Sequence, residues 1–586
     1  MNKREFDVLY TIKKNGLIKY RDLSKLTNVS LGHVSKIVMD FKAQNVIDNS
    51  GITLEGIKLL EPYKVNNAVI MAAGMASRFV PLSLEMPKGL LKVKNEVLIE
   101  RQIEQLKAKG INEIVIVLGY KKESFFYLED KYDVKLIINP EFNKKNNIET
   151  LRLASEFIGN TYICSSDNYF ATNVFEPYVF QSYYASIYVS ERSQEWYMIP
   201  NKRGDVGRVV KTGSNGHIML GHVYWNSEFS REFKKLIIKH SNLGDYDSSL
   251  WEQLFADYCQ SLPPMAIKTY PNDSIFEFDS LDDLRKFDRE YVNNTRSKIF
   301  RNICTVLHCD ESDILNLTPI KEGLTNTSFS FEVKEKKYVY RHPGEGTEAI
   351  ISRINEKTSL ELAKSIDVDP TYIYMDALEG WKISTFVENF RVPDYSNFED
   401  SKKVADSLRQ LHAKNLRVGW QFLPWEEAQK IENILRENKA ITMKDFDDLK
   451  AKIKKCFEKT IGDGIEKRFC HCDTYAPNWM LTEQKAILID WEYAGYADPG
   501  NDLGAYMMDA MWDIDTSTKF IKYYCGDTYN ETKLFHYLAY TALVSYYWFV
   551  WALYREFSGS VMGESLHNWY KMAKMLSEYL VAKYSL

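Results

Sequence analysis

The segment His471-Cys472-Asp473-Thr474-Tyr475-Ala476-Pro477-Asn478, followed by Ile489-Asp490-Trp491-Glu492, constrains this chain more than any other stretch. It has the form H-x-D-x-x-x-x-N, then an apolar run closed by an acid. Transfer of a phosphoryl group from a nucleotide to a hydroxyl needs a carboxylate that takes the hydroxyl proton. It also needs oxygen ligands for the metal that neutralises the phosphates. Asp473 is spaced for the first task, and Asn478 and Asp490 for the second, as ligands of Mg2+.

At 586 residues the chain is too long for one hydrophobic core, so several domains are expected. The formal net charge of -5 implies no large basic surface. No run of about 18 apolar residues is present, so no membrane span is expected. The start, Met1-Asn2-Lys3-Arg4-Glu5, lacks the apolar core of a signal peptide. The eight cysteines are scattered. Neither Cys470 with Cys472 nor His308 with Cys309 has a second pair to complete a zinc site. The expectation is a cytoplasmic protein with reduced thiols.

Residues 1–62 carry helical periodicity in three pieces. Phe6, Val8, Leu9 and Ile12 mark the first, which Gly16 stops; Tyr20 to Leu26 is the second, and Leu31 to Gln44 the third, with Ser30 as its N-cap. Val46 to Thr53 reads as a short hairpin. Helix, helix, turn, helix and wing resembles the winged helix-turn-helix of bacterial regulators, in which the third helix enters the major groove. Ten Lys and Arg against seven Asp and Glu give this segment only a weak positive charge. DNA binding through Lys36 and Lys42 stands beside a docking or regulatory role, and catalysis is expected to survive deletion of 1–62.

A different pattern begins at Asn67. The apolar strand Asn67-Ala68-Val69-Ile70-Met71 enters the small-residue loop Ala72-Ala73-Gly74, continued by Arg78 and Pro87-Lys88. Ala73 and Gly74 let backbone N–H groups approach a phosphate, and Arg78 and Lys88 supply positive charge. Ile114–Leu118 and Val134–Ile138 read as buried strands of an α/β domain, with a helix from Leu98 to Lys109. Another strand ends at Ser165-Ser166-Asp167-Asn168.

Ala72 through Lys88 resembles the signature of nucleotidyltransferases that make activated sugars or alcohols. Ser166-Asp167-Asn168-Tyr169 and Asp273 through Ser280 are similar to bacterial phosphocholine cytidylyltransferases. This resemblance covers about residues 66–290. It implies a Rossmann-like domain that uses CTP and phosphocholine, with Asp167 and Asp279 as metal ligands and Glu277 as a lesser candidate. Many members have a further glycine where this chain has Met75-Ala76. Trp196, Asp245, Tyr246 and Asp247 lie where the family places its choline pocket. Core packing for Trp196, and helix capping for Asp245 and Asp247, are equally open.

Beyond a polar seam from Tyr291 to Ile303, residues 300–586 form the third domain. Pro319 to Val333 reads as strand, turn and strand, with Thr325, Asn326, Thr327 and Ser328 placed to cover ATP phosphates. Lys337 to Arg341 alternates as a strand, and Ile351 to Lys364 is helical, with Glu356 available to pair Arg341. These segments, with Arg341-His342-Pro343-Gly344-Glu345-Gly346-Thr347 and Asp473 through Asp490, resemble the choline/ethanolamine kinase and aminoglycoside phosphotransferase family. A bilobal, protein-kinase-like α+β fold is implied. Glu492, Tyr496, Trp548 and Trp551 are candidates for an aromatic box around a trimethylammonium group. Asp502 is expected to support the catalytic loop.

The whole is thus expected to be a multidomain α/β and α+β protein: winged helix, nucleotidyltransferase and kinase. In series the two enzymes would turn choline and ATP into phosphocholine, then phosphocholine and CTP into CDP-choline and pyrophosphate. The resemblance implies use of CDP-choline to decorate surface polymers with phosphocholine. Ethanolamine or sugar substrates, and a choline- or CDP-choline-sensing transcription regulator, are the alternatives.

Overall fold

The run expected at Asn67 forms the strand Asn67–Ala72, fully inside a nine-stranded sheet, in a computed structural model that describes residues 1–320, 326–344 and 352–586. Its apolar residues have no polar face, as a strand covered on both sides requires. It pairs in parallel with Glu113–Leu118 on one side and Thr161–Ser165 on the other. Lys135–Ile138 extends the parallel part. Gly216–Trp225 then joins antiparallel, followed by Ser193–Pro200 and Val206–Gly213. This mixed sheet with flanking helices is the Rossmann-like α/β architecture expected.

The chain forms two compact units, Met1–Ser312 and Asp313–Leu586. Within the first, three helices, Lys3–Asn15, Tyr20–Thr27 and Leu31–Ala43, precede a single bridge between Ile47 and Ile52. Asn2, not predicted, caps the first helix with a reciprocal bond to Glu5. Ser30 does occupy the N-cap position of the third, but its hydroxyl bonds His33 and makes no cap hydrogen bond.

These helices are not tethered loosely to the sheet. Phe6, Tyr10 and Tyr63 pack on Tyr178 and Phe180, with ring centroids 5.1–5.7 Å apart around this cluster. Glu176 receives the Tyr10 hydroxyl at 2.6 Å and the Lys14 ammonium at 2.7 Å.

The seam expected from Tyr291 to Ile303 is also part of the first unit. Lys298–Leu307 is an amphipathic helix that buries Ile299, Phe300 and Ile303. The Lys298 and Ile299 N–H groups donate to Glu85, and Arg285 donates to the Glu311 carbonyl. The boundary therefore falls at Ser312/Asp313, later than the expected 290–300, because one helical face is apolar despite its polar flanks.

The second unit opens with a five-stranded antiparallel sheet in the order Leu315–Ile320, Asn326–Val333, Lys336–Pro343, Lys382–Thr385, Tyr372–Met375. The helix Arg353–Ser365 belongs with it. The remainder is mainly helical, built around Glu531–Phe557, which is buried along most of its length. This is the bilobal α+β kinase-like arrangement. Among the described residues, no helix is long and apolar enough to cross a membrane.

Candidate active sites

In the first unit, strand pairing assembles the acids. Ile275–Glu277 runs antiparallel to Asn168–Phe170, with Glu277 opposite Asn168. Asp167 and Glu277 are thereby neighbours, and Asp279 follows two residues on. The buried Gln102 amide holds the turn by donating to the carbonyls of Ser165 and Asn168, each at 2.9 Å. Gly89 lets the segment bearing Lys88 close on this turn. A Cβ there would stand 2.8 Å from Ser166 Oγ.

Lys88 Nζ lies 2.7 Å from Asp167 Oδ2, and Arg78 Nη2 lies 3.1 Å from Asp279 Oδ1. Burial opposes both charges of the first pair and is the largest single influence, but the surrounding charges and hydrogen bonds together outweigh it. The Lys88 ammonium is held above its ordinary range, and the Asp167 carboxyl below its own. Burial, with Asp167 nearby, pushes Glu277 up to about 8.

The preceding loop carries Ala73, whose carbonyl accepts the Tyr120 N–H, then Gly74 and Met75. Ala76 sits at φ +48°, in the left-handed region, where a non-glycine residue costs roughly 1–2 kcal/mol. The glycine expected by resemblance would adopt this conformation without that cost.

The residues expected in the choline pocket each have neighbours of their own. Trp196 packs on the core side of its strand, and the Lys211 ammonium lies 4.6 Å from its ring centroid. Asp245 accepts from or bonds His240 Nδ1 at 2.9 Å, and the Tyr246 hydroxyl donates to Asp257 at 2.6 Å. Neither Asp245 nor Asp247 is a helix N-cap, since Leu250 holds that position before Trp251–Tyr258. Glu195, missed from sequence, is the residue of this strand whose carboxyl feels Asp279 and Arg78. Strand alternation turns Glu195 and Trp196 to opposite faces.

In the second unit, Asp502 organises the loop before Asp473. Its carboxylate accepts the His471 and Cys472 N–H groups at 3.0 and 2.6 Å and meets His412 Nε2 at 2.8 Å. His412, Cys470 and Asp502 converge, but these existing bonds explain the cluster without a metal. Asn478 Nδ2 donates to the Asp473 carbonyl at 2.8 Å and to its Oδ2 at 3.1 Å. Cys472 and Asp490 adopt φ +68° and +71°. Two non-glycine residues beside the reacting groups thus hold strained backbone, at roughly 1–3 kcal/mol each.

Arg341 Nη1 donates to Asp490 Oδ1 at 2.7 Å, and its other terminal nitrogen pairs with buried Glu356, as expected. Two further cations escaped sequence reasoning. Arg353 donates to Glu356 at 2.9 Å, and Lys382 Nζ stands 3.6 Å from both Glu356 and Asp490. Burial, then Asp490 and Glu492, pushes the Asp473 carboxyl well above the usual range.

A cavity of about 900 Å³ joins these groups, large enough for a nucleotide-sized ligand. Ser328 lines it from the sheet, and Thr327 precedes it on the same strand. Thr325 and the side chain of Asn326 lie outside the described residues. At the other end Trp548 meets Trp551, Tyr493 and Trp569 at centroid separations of 5.3, 5.6 and 5.9 Å. Glu492 lines the same space; its Oε2 is buried without a hydrogen-bond partner, and burial with Asp490 pushes the carboxyl up to about 7. Tyr496 does not join this box. It lies on Gly495–Ala497, opposite Phe469, and lines a separate cleft. Tyr493 and Trp569 stand in the box instead.

Comparison with known proteins follows the same division. Residues 67–185 match the nucleotidyl transferase family, and residues 317–546 match the choline/ethanolamine kinase family. A choline-phosphate cytidylyltransferase of Streptococcus pneumoniae is 34% identical over 226 residues, 39% of this chain and 98% of that protein. A 2-aminoethylphosphonate cytidylyltransferase of Lancefieldella rimae is 31% identical over 235 residues, 39% of this chain and 95% of its own. The crystal structure of the choline kinase LicA from Streptococcus pneumoniae is 25% identical, with a TM-score of 0.42, covering 48% of this chain and 98% of that one. The chain thus joins a choline/ethanolamine kinase domain to a nucleotidyl transferase domain, and through the latter it belongs to the family of bacterial choline-phosphate cytidylyltransferases.

Proposed function

We propose that the chain is a bifunctional enzyme that phosphorylates choline with ATP and then couples phosphocholine to CTP, giving CDP-choline and pyrophosphate. The observation that carries this reading is the second unit's cavity. It runs from Asp473, Asn478 and Asp490 to an aromatic group around Trp548, with the Glu492 carboxyl beside it. A quaternary ammonium donates no hydrogen bond, so aromatic faces and a carboxylate are the surroundings it needs.

Asp473 takes the choline hydroxyl proton as the oxygen attacks the γ-phosphorus and the bond to the β–γ bridging oxygen breaks, releasing ADP, and Asn478 orients that carboxylate through its amide. Arg341 and Lys382 balance the phosphate charge from the sheet. In the first unit the phosphocholine oxygen attacks the CTP α-phosphorus, and Arg78 and Lys88 offset charge on the α-phosphate and leaving pyrophosphate. The donor sets are hard oxygens suited to Mg2+: Asn478 and Asp490 in one site, Asp167 and Asp279 in the other. Their present cationic partners, Arg341, Lys88 and Arg78, mark where positive charge is required. Bound Mg2+ supplies charge neutralisation at the phosphates in both reactions.

Residues 1–62 are read as a winged helix, its wing reduced to the bridge Ile47–Ile52. Any DNA contact it makes is weak and salt-sensitive, because few cations line its third helix. None of the eight cysteines is in a disulfide among the described residues, which accords with a reducing cytoplasm. Incubating the full chain with choline, ATP, CTP and Mg2+ tests the central reading. CDP-choline should accumulate only when both nucleotides are present, and absence of phosphocholine with ATP alone would refute it.

A further inference from the structure

Tyr496, turned away from the aromatic box, stands in a second cleft of about 620 Å³ with Asn415, Arg417, Glu466, Lys467 and Arg468. Three cations face one carboxylate here. Arg417 is exposed and has no acidic partner among the described residues. Lys467 Nζ donates to a neutral acceptor, Gln421 Oε1, at 2.9 Å. Arg468 shares Glu466, but that side chain is 72% exposed, so the pair is solvent-screened and open to exchange. The Tyr496 hydroxyl and the Asn415 amide make no hydrogen bond among the described residues and add neutral donors at the rim.

We infer that this cleft is a binding site for a phosphate dianion, separate from both candidate active sites. A guanidinium presents a planar fork that matches two phosphate oxygens, and a lysine adds a point charge. The net excess of two positive charges, three cations less Glu466, matches the charge of a phosphomonoester. Tyr496, half-buried, also lines the cleft and offers its ring to a base should the phosphate belong to a nucleotide.

The cleft's position gives such binding a consequence. Arg468 pairs with Ala497, Phe469 with Tyr496, and Cys470 with Gly495. One of these strands continues directly into His471–Asp473, and the other follows Asp490–Glu492. A phosphate held on Arg468 would bear directly on the strand that runs into the catalytic loop.

The test uses the full chain and equilibrium dialysis with inorganic phosphate, a phosphomonoester and ATP in separate arms. Arg417→Ala with Lys467→Gln should lose one bound equivalent, or weaken it at least tenfold, relative to the wild type. Arg417→Lys should fall between them. Equal loss in all three arms supports recognition of the phosphate alone, whereas loss confined to ATP supports the same phosphate contacts with a base on Tyr496. Unchanged stoichiometry and affinity in every arm overturns the inference. Should the double variant fold poorly, Arg417→Ala alone carries the test, because this exposed side chain holds nothing else in place.

Discussion

Lys88 is seated on Asp167, with 2.7 Å between Nζ and Oδ2, so the cation proposed for phosphate neutralises the carboxylate proposed for metal. Asp167 would hold Mg2+, and Lys88 would bind phosphate, only once this pair is parted. Lys88→Ala and Asp167→Asn should each lower CDP-choline formation from supplied phosphocholine by about 100-fold or more. Choline phosphorylation should remain. Assaying the half-reactions separately checks this, and equal loss of both would place the residues in a shared structural role.

Asp473→Ala should give the opposite pattern, abolishing choline phosphorylation and sparing transfer of CMP from CTP. Asp473→Asn is the stricter variant. It retains the shape that Asn478 grips but cannot take a proton. A variant that kept more than about a hundredth of the wild-type rate would exclude Asp473 as the base, given the 10²–10⁴-fold typical of such catalysis.

Trp548 touches Tyr493, Trp551 and Trp569, and its removal should cost more discrimination than removal of any one neighbour. A desolvated cation–π contact is worth about 2 kcal/mol, or roughly thirtyfold in relative kcat/KM. Trp548→Ala should narrow the preference for choline over ethanolamine by about that factor. Tyr496→Ala, outside the box, should leave the preference where it was. Competition assays with both amines read both outcomes.

The pH response of the first unit should carry the signature of Lys268, whose ammonium lies 4.5 Å from the Tyr183 ring centroid and 5.2 Å from that of Tyr270. Burial pushes this group down from 10.5 to about 8. Between those values the unfolded chain binds the proton and the folded chain does not, so stability rises with pH across that window. Below it, the folded state bears the whole cost, on the order of 3 kcal/mol. Lys268→Met should raise the unfolding midpoint near pH 7 and remove the rise between pH 8 and 10, measured by thermal denaturation at each pH.

The parts of both sites that lie close together in sequence were legible from it. Asp473, Asn478 and Asp490 sit on one short loop-strand segment, and Ala73, Gly74, Arg78 and Lys88 follow a single strand. Lys382 was not legible because its place comes from antiparallel pairing with Arg341, a register no local spacing reveals. Trp569 arrives on the last helix, Glu564–Tyr584, through packing against Glu531–Phe557. Tyr496 misled because nearness to Asp490 was read without the alternation that turns neighbouring strand residues apart. The helix at Lys298 was hidden for a similar reason: its apolar face shows only when the residues are projected at helical period.

The aromatic contact of Phe6, Tyr10 and Tyr63 with Tyr178 and Phe180 joins the amino-terminal helices to the nucleotidyltransferase sheet in one packed unit. Recombination that separated them would strand two greasy surfaces, one on each fragment, and so create aggregation-prone proteins. The kinase half begins only after this unit closes, at Asp313. A cut near that junction leaves this aromatic contact whole, whereas a cut behind residue 62 exposes both of its faces.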